Sequence, residues 1–406
     1  MDFTCTYYYL YKFEAKESKP TLMKLLSKLF LTGTAIAALS IGQASAQTDA
    51  ANILRAGVAD ANILMNAYFQ PFGEAFGVAL NNNWYNTGKP LKLARFYLTV
   101  VPTLVQVPDD KTTFNVADLG LSGSLRQLNP AVTSGATIFG SNSDAQPTFG
   151  VFARNPITNA DEKISEFTAP QGLGLNLLPL PMLQLSVGLI KGTDVTIRYL
   201  PQLDIPGGSV GGKVGLFGIG VKHDLKQWIP GFGLLPFDLT GYFNYSTFNF
   251  SLGFDMPVPT GAGPTGLGYR YEGFTGPNDP SLAKQELAIR ARGMGFGLII
   301  SRKLPVITPY ASVGFANSSF SMKAAGDYAI ESGVYANTTN PLDPDNGKVT
   351  VTKFTDPIDI ASEAKNNLRA GVGLRVKLLI LTIHGEYFIQ GAFRGINAGV
   401  GIGIGN

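Results

Sequence analysis

The sequence predicts an all-β fold, a transmembrane antiparallel β-barrel of about 12–14 strands with short N-terminal helices ahead of it. Three observations carry this prediction. Strand-length stretches alternate apolar residues with glycines or charges. Charged residues make up only 15% of the 406-residue chain, which holds 48 glycines. Beyond a leader-like start, no stretch nears the ~18 uninterrupted apolar residues of a membrane helix. A chain of this make-up either buries its apolar surface in a core or turns it to lipid, and in lipid only a closed barrel satisfies strand backbones.

The alternation is clearest at the carboxyl end. Within residues 393–406, Arg394, Ile396, Ala398, Val400, Ile402 and Ile404 share one face of an extended chain. Gly395, Asn397, Gly399, Gly401, Gly403 and Gly405 take the other. Glycine in a strand costs backbone entropy. Such a run needs either the close approach of backbone or ligand, or a water-facing surface inside a curved sheet.

The amino end reads as a leader. Lys24 and Lys28 precede an apolar run over 29–41, and Ala44, Ser45 and Ala46 form a small-residue cleavage site. Residues 23–46 are therefore expected to be a signal peptide, with 1–22 an over-called start. Cleavage removes Cys5, the chain's one cysteine, and leaves 27 basic against 26 acidic residues. The first fact excludes a disulfide framework and a thiolate metal centre, and the second a nucleic-acid partner.

Residues 47–89 are expected to form a helical plug or cap with a linker, and 90–406 the barrel. Ile53, Leu54, Val58, Ala61, Ile63 and Leu64 fall on a roughly helical stripe. Pro71 is expected to break or kink it into two short helices. Residues 81–89 read as a turn-rich linker with an exposed aromatic pair, Trp84 and Tyr85. The first strand spans 91–107, with a bulge or early end at Pro102. Segments 111–121 and 135–141 are weaker strands. Residues 183–190 and 193–199 flank Lys191-Gly192 as a hairpin. In 211–223, Phe217, Ile219 and Val221 oppose Gly218, Gly220 and Lys222. The alternation in 237–252 slips once, which predicts a bulge or turn near Thr247. Strands follow at 287–301, 307–322, 367–377 and 382–390. The long loops are 257–280, which is aromatic, and 323–366, which is polar. Residues 340–347 resemble a calcium loop only loosely, lacking a downstream carboxylate, and read as surface loop. Both termini are expected on the periplasmic, short-turn side.

No catalytic constellation stands out. His223 and His384 each sit in a strand pattern rather than at ligand spacing, so neither an enzyme, a metal nor a cofactor is expected. The candidate site is a lumen-facing polar cluster of Arg369, Arg375, Lys377, His384 and Glu386. With the apolar parity turned to lipid, all five point inward. Such charges tune a pore or fill it as a network, and the near-zero net charge favours the network.

Several segments carry a family resemblance. Residues 68–71 (YFQP), 82–87 (NNWYNT), 219–230 (IGVKHDLKQWIP) and 235–239 (LPFDL) resemble an uncharacterised family of Bacteroidota outer-membrane β-barrel proteins, known only as a domain of unknown function. The resemblance covers most of the mature chain. It implies a barrel in the cell outer membrane and brings no functional residues with it. A looser architectural likeness is to the long-chain fatty-acid transporter group, which implies a hydrophobic ligand and a helical hatch. The Asn129-Pro130-Ala131 triplet lies too far along the chain to match that group's amino-terminal pattern.

The expected function is a passive channel or transporter for a small or hydrophobic solute. The alternative is a non-transporting barrel serving as a structural anchor or as a docking partner for secreted or periplasmic proteins. The expected partners are outer-membrane lipid and a hydrophobic small molecule. No protein partner is legible.

Overall fold

The structure, a computed structural model, describes residues 53–54, 57–156, 158–205, 211–253 and 255–404. The expected leader at 23–46 and the start at 1–22 lie outside the described residues. In chain order come α1 (Val58–Asn81), β1 (Phe96–Gln106), β2 (Thr113–Asn115), β3 (Leu125–Gln127), β4 (Ser134–Ala136), β5 (Thr148–Arg154) and β6 (Asp161–Thr168). Next are β7 (Leu177–Gly188), β8 (Thr193–Ile205), β9 (Gly212–Asp224), β10 (Asp238–Gly253), β11 (Tyr269–Glu272) and β12 (Glu286–Ser301). The last are β13 (Ile307–Ala325), β14 (Asp327–Val334), β15 (Val349–Thr355), β16 (Ile358–Leu378), β17 (Leu381–Gln390) and β18 (Phe393–Ile404).

Ten of these strands close an antiparallel barrel in the order β1-β18-β17-β16-β13-β12-β10-β9-β8-β7. The expected barrel is present, with ten strands rather than about 12–14. The surplus lies in the weak strands expected at 111–121 and 135–141, where only the short pair β2 and β4 forms, outside the barrel; β3-β5-β6 and β11-β15-β14 make two further small sheets, the latter in regions expected to be loop. Closure joins the two ends of the barrel sequence, with β1 paired to β18 from Phe96↔Ile404 to Gln106↔Arg394. On its other edge β1 pairs with β7. Among the described residues no helix is long and apolar enough to cross a membrane.

The parity read from the sequence sets which side faces out. Ile396, Val400 and Ile402 are each about half exposed on the outer wall, while Asn397 and Gly399 are buried inward. The glycines serve close approach. A Cβ on Gly399 would meet the His384 ring of β17 at 2.1 Å, and one on Gly220 would meet the Tyr85 hydroxyl at 2.4 Å. The β7–β8 hairpin turns where predicted, with Lys191 (φ 53) and Gly192 (φ 64) both left-handed, as a tight hairpin turn requires.

The wall has two storeys of opposite polarity. On β12 the lower storey turns Met294, Phe296, Leu298 and Ile300 outward over inward Gly293, Gly295 and Gly297; the upper storey turns Glu286, Arg290 and Arg292 outward over inward Leu287, Ile289 and Ala291. Strand β13 repeats this. Val313 and Phe315 are exposed below, whereas Phe320 and Met322 are buried inward above, beside an exposed outward Lys323. On β16 the outward apolar run Leu368, Ala370, Val372, Leu374, Val376 and Leu378 fits the roughly 9–11 residues of one crossing. Above it, Asp359 and Lys323 pair in the open at 2.6 Å, as do Glu363 and Lys365.

This inversion explains the apparent slip near Thr247. The β10 ladder to β12 runs from Asp238↔Ser301 to Gly253↔Glu286 without a shift, so the expected bulge is absent. Inward side chains change instead from Asn244 and Ser246 to Phe248 because the lumen's contents change. The β13–β16 ladder does shift, between Ala316 and Ser318.

The upper lumen is filled by α1. Phe76 packs on Phe248 at 4.7 Å and Phe72 on Phe320 at 5.9 Å, joined by buried Ala75, Ala79 and Leu80. Of the expected stripe, Ile53, Leu54, Ala61 and Leu64 are buried, while Val58 and Ile63 are half-buried. The expected break at Pro71 does not occur, since α1 runs through it for 24 residues. The disturbed turn is held from outside. Ile138 N–H donates to Tyr68 O at 3.1 Å, the Tyr68 hydroxyl donates to Gln171 O at 2.8 Å, and Lys111 pairs with Glu74 at 2.8 Å.

The helix starts at the long-loop end. There Asp60 accepts the backbone N–H of Ser122 at 2.9 Å, and Asn62 Nδ2 donates to Pro357 O at 2.7 Å. The chain then descends through the lumen and leaves at the opposite end, where β1 begins. The described chain therefore begins at the upper mouth and ends at the lower one, and the termini expected on the short-turn side lie outside the described residues. Connections at the lower mouth are short between β7 and β8, β12 and β13, and β16 and β17; the small sheets rise from the upper one.

Candidate functional site

The lower lumen, ringed by the apolar storey, is filled by residues 81–88, which the sequence reads as a linker. All of them are buried except Tyr85, which is half-buried, and the Trp84 expected to be exposed is 4% accessible. The local chemistry of Asn, Gly and Thr suits a turn, and Asn83 does take a left-handed φ of 60. What buries the segment is a set of wall partners far away in sequence.

Each level of the segment has such a partner. Asn81 Nδ2 donates to Asn317 O at 2.9 Å, beside the β13–β16 irregularity. Asn82 Nδ2 donates to Gln390 Oε1 at 2.9 Å, and Arg369 Nε donates to Asn82 Oδ1 at 2.8 Å. Asn83 Nδ2 donates to Pro102 O and Ala398 O, on β1 and β18, at 3.0 and 2.8 Å. Gly88 N–H donates to Ser301 Oγ at 2.9 Å, and the Thr240 hydroxyl donates to Gly88 O.

Two cations grip the segment from the β8–β9 side. Arg198, fully buried, donates to Gln184 Oε1 at 3.1 Å, Leu80 O at 3.1 Å and Asn82 O at 2.8 Å, and its guanidinium lies 3.8 Å over the Trp84 ring. Lys222 donates to Thr87 O at 3.0 Å and Lys89 O at 3.2 Å, and sits 3.4 Å from Asp194. Asp194 in turn accepts the Leu91 N–H at 3.0 Å. Sequence reasoning had placed Lys222 on the inward parity, and the same parity covers Asp194 and Arg198, opposite Val195, Ile197 and Tyr199. They are missing from the candidate cluster because their partners are backbone groups of the supposed linker and its exit, carbonyls for Arg198 and Lys222 and the Leu91 N–H for Asp194.

The five candidate residues divide. Arg369 and Glu386 form a buried ion pair, extended by Arg369 Nη1 donating to Ser312 Oγ at 2.6 Å and by the Tyr310 hydroxyl donating to Glu386 at 3.4 Å. His384 is sandwiched by the plug. Asn86 Nδ2 donates to Nδ1 at 3.1 Å, so Nε2 carries the proton it donates to Asn83 Oδ1 at 2.9 Å. Arg375 stands apart at the lower mouth, buried, 5.4 Å over the Tyr97 ring. Lys377, one pleat further down, is only half-buried. The cluster is therefore two units, a buried network gripping the plug and a basic pair at the mouth.

His223 belongs to the turn at the lower rim. Its Nε2 accepts the Trp228 indole N–H at 2.8 Å, and its Nδ1 bonds the Thr193 hydroxyl at 2.7 Å. The His-Asp-Leu-Lys-Gln-Trp motif thus ties the β9–β10 turn to the β7–β8 turn and leaves Trp228 exposed at the rim, where an aromatic belt sits in membrane barrels. In the upper loops, Asp343 accepts Asn337 Nδ2 at 2.9 Å and the Asp345 N–H at 2.9 Å, which hold its carboxyl below the usual range. Those contacts build a turn from the residues that loosely resemble a calcium loop.

Wall and plug side chains are alike excluded from solvent, so the described lumen is filled rather than open. Beside Trp84 and Tyr85 a void of about 20 Å³ remains, close to the space one water occupies. An apolar recess of about 550 Å³, lined by Val221, Phe243, Phe296, Leu298, Val313 and Phe315, lies on the outer wall.

The chain belongs to a family of unknown function, DUF6588, which residues 23–404 match. No curated protein matches it. Among solved structures it is similar to the outer membrane transporter YddB from Escherichia coli, at 10% identity and TM-score 0.29, over 74% of this chain and 39% of that one. It is also similar to the translocator domain of the autotransporter NalP from Neisseria meningitidis (10%, 0.27, 84% and 95%) and to the Ralstonia pickettii toluene transporter TbuX (8%, 0.23, 78% and 90%). The chain thus spans well under half the length of YddB. Likenesses of this degree add nothing to the barrel's own geometry.

Proposed function

We propose that this chain is a non-conducting outer-membrane barrel whose lumen is closed by its own N-terminal segment, and that it anchors the upper storey and its small sheets at the cell surface as a docking platform. The observation that supports it best is the grip on residues 81–88 by buried Arg198, Lys222 and Arg369. A gate that opens readily is not cross-bonded to most of the strands around it. The upper storey adds support. Its outward charges and inward apolar core are the arrangement of a water-soluble protein, which suits a wall standing clear of lipid.

The proposal includes a Bacteroidota outer-membrane setting and lipid contact along the lower storey. It assigns no catalytic step. A hydrophobic solute has a place in it only at the outer-wall recess, where an acyl chain would lie.

Two measurements test it. In planar bilayers the unmodified protein is expected to give no conductance steps, and discrete steps would overturn the closed lumen. For orientation, Leu342→Cys and Leu379→Cys place thiols on fully exposed residues at opposite ends. A membrane-impermeant maleimide on intact cells is expected to label the first alone, and labelling of only the second would invert the platform.

A further inference from the structure

The lower mouth holds a cavity of about 240 Å³ between the β12–β13 turn, the β16–β17 turn and the exit of the plug. Four of the residues lining it are cations: Lys89, Lys303, Arg375 and Lys377. Thr87 and Thr308 add hydroxyls, and among the described residues no carboxylate lines it. The nearby Asp194 belongs to the adjoining inner void and is engaged by Lys222 and by the Leu91 N–H.

Arg375 is what sets this mouth apart from a solvated basic rim. It is 7% exposed, and its Nε meets no hydrogen-bond acceptor among the described residues. Elsewhere in the lumen the buried cations are satisfied, Arg198 and Lys222 by plug carbonyls and Arg369 by Glu386. A guanidinium presents several donors in a rigid plane, and burying one of them without an acceptor is unfavourable. Lys303 and Lys89 add like charge beside it, which an entering anion relieves.

The geometry points to a binding site for a phosphate group at this mouth. Arg375 would supply a fork to two oxygens, and Lys303, Lys377 and Lys89 point charges around the remainder. A tetrahedral phosphate group offers oxygens to the guanidinium plane and to the lysines around it at once, which the two coplanar oxygens of a carboxylate do not. The group can arrive free in solution or as a lipid headgroup, since the cavity opens at the rim of the apolar storey. The site does not depend on whether the lumen above it conducts.

The test uses the chain purified from membranes in uncharged detergent. Calorimetric titration with inorganic phosphate is compared with sodium chloride at equal ionic strength, and native mass spectrometry compares retention of phosphatidylglycerol with phosphatidylcholine. The expected result is saturable binding of phosphate, selective retention of phosphatidylglycerol, or both. Phosphate binding alone identifies a soluble ligand, and lipid retention alone a headgroup. Arg375→Gln is expected to weaken binding at least tenfold. Lys303→Gln, at an exposed turn position, is expected to weaken it severalfold. The site is overturned if neither probe binds above its control, or if binding is unchanged in Lys303→Gln and in a folded Arg375→Gln.

Discussion

Replacing Arg198 with alanine tests whether the plug is held as firmly as its contacts imply. The guanidinium donates to two plug carbonyls and to Gln184, and stacks on Trp84. Orphaning a buried carbonyl costs roughly 1–3 kcal/mol, and the lost cation–π contact about 0.5–2 kcal/mol. Against this, a buried cation without a carboxylate partner carries a desolvation penalty of several kcal/mol that alanine removes. The Leu80 and Asn82 carbonyls and the Gln184 amide stay buried without their donor, and with the lost ring contact the net cost is about 3 kcal/mol. At about 1.4 kcal/mol per tenfold, that is on the order of a hundredfold more displaced segment. Hydrogen exchange of the backbone over 82–89, followed by mass spectrometry, is expected to accelerate by about that factor, while β16–β18 peptides keep their protection. Arg198→Lys retains the charge without the fork and is expected to fall between. Unchanged exchange over 82–89 in Arg198→Ala would refute the claim that this residue pins the plug.

Three further outcomes follow from the two storeys and the loops. Val313→Arg on the lower wall is expected to cost roughly 2–4 kcal/mol in folding into lipid, whereas Ser321→Arg, one storey up on the same face, should cost near zero; equal costs would deny the inversion. Gly399→Val drives a Cβ into the His384 ring and is expected to destabilise the barrel by about 1–3 kcal/mol in urea titration. Gly385→Ala, whose Cβ would meet one atom at 4.0 Å, should be neutral. In the upper loop, backbone N–H groups of Thr275 and Ser281 hold the Asp279 carboxyl well below its usual range. A carboxyl lowered on folding stabilises the loop above the unfolded pKa of about 3.9 and loses that contribution as pH falls through the folded value. Acid-stable protease cleavage within 254–285 should therefore rise below about pH 3.9, and Asp279→Asn should cleave readily at neutral pH.

What was legible in the sequence is what period-two alternation encodes. The faces of β18, the glycine side of β9 and the hairpin at Lys191-Gly192 stand as read, because each strand there has one apolar outer face and one small or polar inner one. The reading weakened wherever the wall inverts. Strand β16 begins at Ile358 rather than at 367, since its upper part puts Ile360 inward and Asp359 outward, a pattern that resembles polar loop when an outward apolar face is sought. The inward direction of Arg369, Arg375, His384 and Glu386 followed from parity, but their division did not. Only the path of the plug decides that Arg369 and His384 meet asparagines while Arg375 meets none. Residues 81–88 were misread because a buried polar segment and an exposed turn share a composition. The difference lies in partners such as Gln390 and Arg369, roughly three hundred residues downstream.

Pro102 shows how far the plug is part of the wall. A proline has no N–H to give, and a central strand normally excludes it. The expected bulge is absent, since the β1–β18 register is the same before and after it, Val100↔Val400 and Thr103↔Asn397. Between those pairs the ladder lapses, and Asn83 Nδ2 reaches carbonyls on both banks of the lapse, Pro102 O and Ala398 O. The amide stands in for the missing donor at the seam where the barrel closes. Asn83→Ala should therefore weaken closure, lowering the temperature at which the folded band converts in heat-modifiable electrophoresis. Pro102→Val restores a backbone donor and places its side chain on the exposed outer wall. It should lessen that loss, giving a coupling of about 1 kcal/mol between the two sites in a double-mutant cycle. The His384 bond to Asn83 is lost in either background, so it cancels from the coupling. Strict additivity would mean that the seam closes without the plug, and that the lumen segment is a passenger in the barrel rather than one of its fastenings.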